Sequence, residues 1–421
     1  MHFKALSLEN NKYKYIFAAL FPFWTMLLSI AKFDSKSSKN LFWYGCAFMG
    51  FVFIFNPVFD TGADSSRIAK ALVDMHSPNT TIKDVFSDLF IEDGNVDVYQ
   101  LLVTLIVSIF TSNAHYLFLI MAVIFGYFYS RNVWRILNYF KISTNQAYVW
   151  IFIAMLFLVN PIWNINGGRM YVALHVFIFG VFGYVFDKKP IYLIWAFVSI
   201  LIHFSLVLPL SLFVILQFLP QKNIKTYFYI YLISLFVSDI DMEGLKTMII
   251  DYLPKFLIYK ADAYLNEELA ISISEGVKDW STYLFVSKYM SMAFKYIVLF
   301  VFWKNIKKIE DNMIIKNLMI TFLFLGFFIN ILSSIPSMGR FITLSDFFMY
   351  SLLLLIISNV NLSKLSTNLL KYSSILLILP IFHLLRIGTI YYGHSLFWSN
   401  FFGALFIEDR NPIIYYVKSI F

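Results

Sequence analysis

Charge is what this sequence has least of: Asp, Glu, Lys and Arg together make up only 14% of its 421 residues. Soluble domains carry about a quarter charged residues, because polar groups must cover whatever meets water. A chain this poor in charge and 60% hydrophobic cannot be covered that way. Lipid removes the requirement, and a mean hydropathy of +0.72 points to it. Cysteine occurs once, as Cys46 inside an apolar run. That excludes an internal disulfide and leaves the redox compartment open. There is no His-Glu-x-x-His and no cysteine pair, so no metal site is expected. There is no Walker motif either, so ATP is not an evident energy source and no cofactor is expected. The N-terminus lacks a basic region leading to a small-residue cleavage site, so the first span should be retained as a signal anchor.

What is present is long apolar runs. A membrane span needs roughly 20 apolar residues. Runs of that kind lie at 15–31, 41–56, 115–130, 147–163, 169–186, 191–203, 204–219, 226–240, 285–303, 317–335, 341–359 and 372–387. The expectation is an all-α, polytopic integral membrane protein of about 12 transmembrane helices in one domain, 1–421. The net charge of +8 does not indicate nucleic acid. Lys and Arg fall in short loops between the runs, at Lys32/Lys36/Lys39, Arg131/Arg135/Lys141, Lys188/Lys189, Lys222/Lys225, Lys304/Lys307/Lys308/Lys316 and Lys364/Lys371. Such loops stay in the cytoplasm. Loops 32–40 and 131–146 share a side only if an even number of crossings separates them. Runs 41–56 and 115–130 supply two, so the short run 99–112 must not cross. It is expected to be a re-entrant or half-embedded helix. The far face then carries the long loops 57–98 and 241–284, the turns at 164–168 and 336–340, the bend at His203 and the tail 388–421.

Four places on that face hold candidate functional residues. Phe59-Asp-Thr-Gly-Ala-Asp-Ser-Ser-Arg67 puts Asp60, Asp64 and Arg67 three to four residues apart, one face of a helix. A solvated loop with a local salt bridge is the plainer alternative. The acidic stretch Glu92-Asp93-Gly-Asn-Val-Asp97 that follows is expected to cap the short helix. Asn160-Pro-Ile-Trp-Asn-Ile-Asn-Gly167-Gly168-Arg169 breaks one span and starts the next. Glycines, backbone N–H groups at a helix start and an adjacent Arg suit a phosphate; simple snorkelling of Arg169 to the interface is the alternative. His203 interrupts the apolar run 191–219, longer than one span needs, so two short spans should meet there. Ionisable groups at membrane depth are functional candidates, and His moves protons near neutral pH; a packing histidine is the plainer reading, as it is for His175. Pro336-Ser-Met-Gly-Arg340 repeats the glycine–arginine turn, and Arg386 ends the last span on the same face. Asp346 needs a partner, for which Arg340 is available.

In order and spacing these pieces resemble the Wzy/EpsG family of membrane polysaccharide polymerases. The similar pieces are Thr61-Gly-Ala-Asp64 after span two, Val98-Tyr-Gln-Leu-Leu before the short helix, Asn113, Gly167-Gly168-Arg169, Lys188/Lys189 and Ile202-His203-Phe-Ser205, over about residues 40–220. The later half is similar mainly in hydropathy and in the Gly339-Arg340 turn. One departure is Gly168-Arg169-Met170, where relatives often carry Ile-Arg-Gln. The resemblance implies a fold like that of membrane glycosyltransferases that use lipid-linked sugars. It implies transfer of a growing glycan from undecaprenyl diphosphate to a new lipid-linked repeat, at the periplasmic side of the bacterial inner membrane. Donor and acceptor glycans and membrane lipid are the implied partners, and a chain-length regulator is compatible with it. Arg169 and Arg340, with Arg67 or Arg386, would bear the leaving diphosphate; His203 or Asp64 would be the base. Asp60, Gly167 and Gly168 would line the binding site. A lipid-linked-glycan flippase, an O-antigen ligase and a membrane acyltransferase are the alternative classes.

Overall fold

Inside lipid no water meets an exposed N–H or C=O, so an apolar run forms a helix, which satisfies its own backbone. The computed structural model describes residues 11–56, 64–77, 97–139, 142, 144–220, 223–236, 258, 282–333, 335, 338–407 and 411–420. All regular elements among them are helical. Seven helical segments are long and apolar enough to cross a membrane: Ala114–Tyr139, Ala147–Gly167, Met170–Asp187, Thr282–Lys304, Met313–Leu332, Met338–Asn359 and Lys364–Gly388. Pro22–Ala31, Val98–Ser108, Pro190–Ile202 and Phe204–Phe218 are apolar but shorter.

In chain order the helices are α1 Asn11–Leu20, α2 Pro22–Ala31, α3 Ser38–Phe51, α4 Asp64–Met75, α5 Val98–Ser108, α6 Ala114–Tyr139, α7 Ala147–Leu158 and α8 Met170–Asp187. They continue as α9 Leu193–Ile202, α10 Val207–Phe218, α11 Ile224–Ser234, α12 Thr282–Lys304, α13 Met313–Leu332, α14 Ile342–Asn359, α15 Lys364–Ser373 and α16 Ile378–Gly388. The first expected span is two helices because Pro22, at the start of α2, has no N–H to continue α1. Segment 57–98, read as a loop, contains an amphipathic helix, α4, whose Ile68, Ala69 and Leu72 are buried. The rest of 57–96 and most of 241–284 lie outside the described residues. The short run 99–112 forms α5, 11 residues long, or about 16 Å against a hydrocarbon layer of about 30 Å.

One apolar core runs through the bundle. Its tightest seam is α3 on α6: a Cβ at Gly50 would sit 2.2 Å from Ala122 Cβ, so glycine is what lets these helices touch. The Trp134 indole pins one end of that seam, donating to the Phe33 carbonyl at 2.9 Å and to Ser38 Oγ at 2.8 Å. α8 lies along α6 and α9, and α13 packs on α11 and α14. His175 is a packing residue: it is fully buried, 4.7 Å from the rings of both Phe125 and Tyr129, with Nε2 3.1 Å from the Asn160 carbonyl.

Candidate functional site

Two interruptions in the helices set the site up. The first follows α7. Pro161 begins a 3₁₀ turn over Ile162–Gly167, and Gly168 ends it at φ 60°, ψ −44°. L side chains rarely adopt that backbone, so glycine is required. The turn is fastened by its asparagines. Asn160 Nδ2 donates to the Tyr171 carbonyl at 3.0 Å, and Asn166 Nδ2 to the Tyr391 hydroxyl at 2.9 Å. Asn166 Oδ1 accepts from the Ser65 N–H of α4 at 3.3 Å. The N–H groups of Gly168 and Arg169 are engaged inside the turn, on the Ile165 and Gly167 carbonyls. What the turn presents outward is therefore the Arg169 side chain, rather than the backbone cradle expected at Gly167 and Gly168.

The second interruption is His203. It is extended, at φ −149°, ψ 114°, between α9 and α10. Two short helices do meet there, as the length of the run requires.

Asp97 joins the two. Its side chain makes no capping bond to α5, which corrects the expectation of a helix cap. The carboxylate instead accepts from Arg169 Nη1 at 2.8 Å, from the Phe204 N–H at 2.8 Å and from His203 Nδ1 at 3.0 Å. Asp97 is 4% exposed. Burial alone would raise its carboxyl pKa; the hydrogen bond from His203, the charges of His203 and Arg169 and the Phe204 N–H outweigh it and hold the carboxyl below its ordinary value. Arg169 and His203 thus sit on one shared carboxylate and do not face each other across an open cavity. A ring that gives its Nδ1–H to Asp97 turns Nε2 away from the carboxylate, and Nε2 has no hydrogen bond among the described residues. The Arg169 side chain keeps 37% of its surface open, so nitrogens beyond Nη1 remain available to an anion.

The other expected residues divide. Asp64 and Arg67 pair with each other on the first turn of α4, Arg67 exposed and Asp64 half-buried, where an ion pair contributes little. Arg340 is exposed in the 3₁₀ turn Met338–Phe341. The charges of Arg340 and Asp64 both reach the Tyr171 hydroxyl, two residues past Arg169. These three therefore gather around the start of α8. Arg386 is exposed in the last turn of α16; its charge reaches Tyr283 and His383, and no contact ties it to Asp97. Asp346 pairs with Lys295 at 3.6 Å, which corrects the expected pairing with Arg340. Asp60 lies outside the described residues. Among the described residues no group of three or more His, Cys, Asp or Glu is placed to hold a metal.

Comparison with protein-family models, with curated proteins and with solved structures found no match.

The residue that sequence reasoning missed is Asp97. The available signal was its place as the last carboxylate before an apolar run. Nothing local showed that its partners lie 72 and 106 positions away.

Proposed function

We propose that this chain is a membrane glycosyltransferase that polymerises lipid-linked oligosaccharide repeats, acting on the extracytoplasmic face of a bacterial inner membrane. One observation carries the reading: a buried carboxylate binds the Nδ1 side of an imidazole, leaving Nε2 open, and through Oδ2 fixes an arginine whose other nitrogens stay open. The arrangement suits a reaction that removes a proton at one end and releases an anion at the other.

In that reaction the acceptor hydroxyl oxygen bonds to the anomeric carbon of the donor sugar. The bond from that carbon to the polyprenyl diphosphate breaks, and its electron pair leaves with the diphosphate. The hydroxyl proton passes to His203 Nε2. Asp97 orients the ring and stabilises the imidazolium. Negative charge accumulates on the leaving diphosphate, where fixed Arg169, with Arg340 beside Tyr171, stabilises it. Displacement in one step inverts the anomeric centre. Asp64 is a poorer base than His203, because its carboxylate is paired with Arg67 and open to solvent.

The finer membrane reading belongs to the same proposal: about 12 crossings, with the basic loops inside. The test is in-vitro extension of lipid-linked repeats by purified protein. A ladder of lengthened glycans is expected, and loss of it with Asp97→Asn. Unchanged surface-polysaccharide length in cells lacking the gene would sink the reading. Transfer only onto a lipid A core would make it a ligase, and movement of the repeat across the bilayer without elongation a flippase.

A further inference from the structure

A second polar cluster lies within the C-terminal spans, away from Asp97. Lys295 of α12 and Asp346 of α14 face each other at 3.6 Å. The Lys295 charge reaches the Tyr231 hydroxyl of α11. Tyr231 and Ser345 converge over Gly326 of α13: from the point a Cβ there would occupy, the Tyr231 ring edge is 2.5 Å away and Ser345 Oγ 3.5 Å. Three helices thus bring polar groups to one spot, against the glycine of a fourth.

Two features set this cluster apart from a structural ion pair. The first is unmet bonding. A buried ion pair stabilises a fold only when its geometry is good and further hydrogen bonds satisfy both partners. Here the ions stand at 3.6 Å, the one ammonium serves both Asp346 and the Tyr231 hydroxyl, and Ser345 Oγ is buried with no hydrogen-bond partner among the described residues. The second is access. Every residue from Phe347 to Ile356 is buried, so α14 is an interior helix. Yet the Asp346 side chain is 32% open and that of Lys295 17%. Lipid does not accept a carboxylate, so the space it opens onto is polar and interior. Along the helix axis Asp346 lies about 10 Å below Arg340.

The chemistry of the spot selects its ligand. Lys295 offers three donors, Asp346 only acceptors, and the two hydroxyls both. Their formal charges cancel, so an ion gains little by entering. A neutral group with several hydroxyls satisfies donors and acceptors together. We propose that Lys295, Asp346, Tyr231 and Ser345 form a sugar-binding subsite that holds one ring of the lipid-linked glycan, an inference that rests on the polymerase reading. The outer arginines then hold diphosphate, and this inner group holds carbohydrate.

The test measures binding without turnover. The protein in nanodiscs is titrated with oligosaccharide released from the surface polysaccharide of the cells that make it. Lys295→Gln, Asp346→Asn and the double variant are compared, each with its melting temperature. Loss of a hydrogen bond to a charged group should weaken binding by about 10- to 100-fold. The double variant leaves no unpaired charge and should fold even if a single one does not, while still failing to bind. A double variant that binds like the unaltered protein overturns the subsite and makes the pair structural, leaving the polymerase reading intact. An unaltered protein that binds no glycan overturns both.

Discussion

The Asp97 carboxylate accepts a 3.0 Å hydrogen bond from His203 Nδ1, and that contact leaves Nε2 as the open nitrogen of the ring, the one the proposed reaction uses. A base positioned this way contributes about 10²–10⁴-fold in rate. His203→Gln should therefore lose at least about a hundredfold in in-vitro polymerisation. Asp97→Asn should lose nearly as much, because an amide can turn its N–H₂ toward Nδ1 and favour the wrong tautomer. Thermal melting should show both proteins folded. More than about a tenth of the normal rate in His203→Gln, well short of that loss, would make the imidazole a strut at the bend between α9 and α10.

Asp97 also predicts a dependence of stability on pH. Its carboxyl is held below the ordinary value in the folded protein. The native state thus binds this proton more weakly than the unfolded chain does. The stabilisation is complete above the unfolded carboxyl pKa of about 3.9 and is lost as pH falls through the lower folded value. Melting temperature, read at one scan rate from about pH 4 downward, should fall more steeply for the unaltered protein than for Asp97→Asn. Parallel curves would show that the Asp97 proton is bound equally in both states.

Arg169 and Arg340 should not tolerate lysine. Arg169 uses Nη1 for Asp97, and the proposed reaction uses its remaining N–H groups for the diphosphate. A lysine ammonium is a point charge and cannot serve both in a fixed plane. Arg169→Lys should lose most elongation and some stability, since the buried Asp97 loses a well-placed donor. Arg340→Lys should lose elongation alone, because Arg340 is exposed. Glycan ladders from cells carrying each variant, beside protein levels, separate these outcomes. Normal ladders from both would remove the arginines from diphosphate binding.

The helices were legible in the sequence because their cause is local: an apolar run in lipid must satisfy its own backbone. The break at His203 was legible for the same reason, since the run 191–219 exceeds one span. The partners of charged groups were not. Asp97 looks like a cap, as carboxylates before helices usually are, but its contacts come from α8 and the bend before α10. Asp346 looked suited to nearby Arg340, yet α12 brings Lys295 to it. Both pairings depend on which helices pack together, and an apolar pattern does not encode that when a helix is hydrophobic all round.

Gly168 gives a test of the turn itself. Its φ of 60° with ψ −44° is strained for any L side chain, which costs on the order of 1–3 kcal/mol. A Cβ there would also lie 2.6 Å from Ile68 Cδ1 of α4. Ile68 is 2% exposed and has little room to withdraw. Gly168→Ala should thus carry two separable penalties, one in the backbone and one against Ile68. Ile68→Ala removes the second and opens a cavity of its own, which in a packed core costs about 2–5 kcal/mol. An alanine Cβ at 168 would occupy part of that cavity. The double variant should therefore be more stable than the sum of the two single losses predicts, by about 0.5–3 kcal/mol, as read from a double-mutant cycle on melting. Elongation should stay low in the double variant, because backbone strain still displaces Arg169 from Asp97. Strictly additive losses would mean that α4 does not press on the turn, and recovered elongation would mean that the clash alone, and not the backbone at Gly168, determines where Arg169 sits.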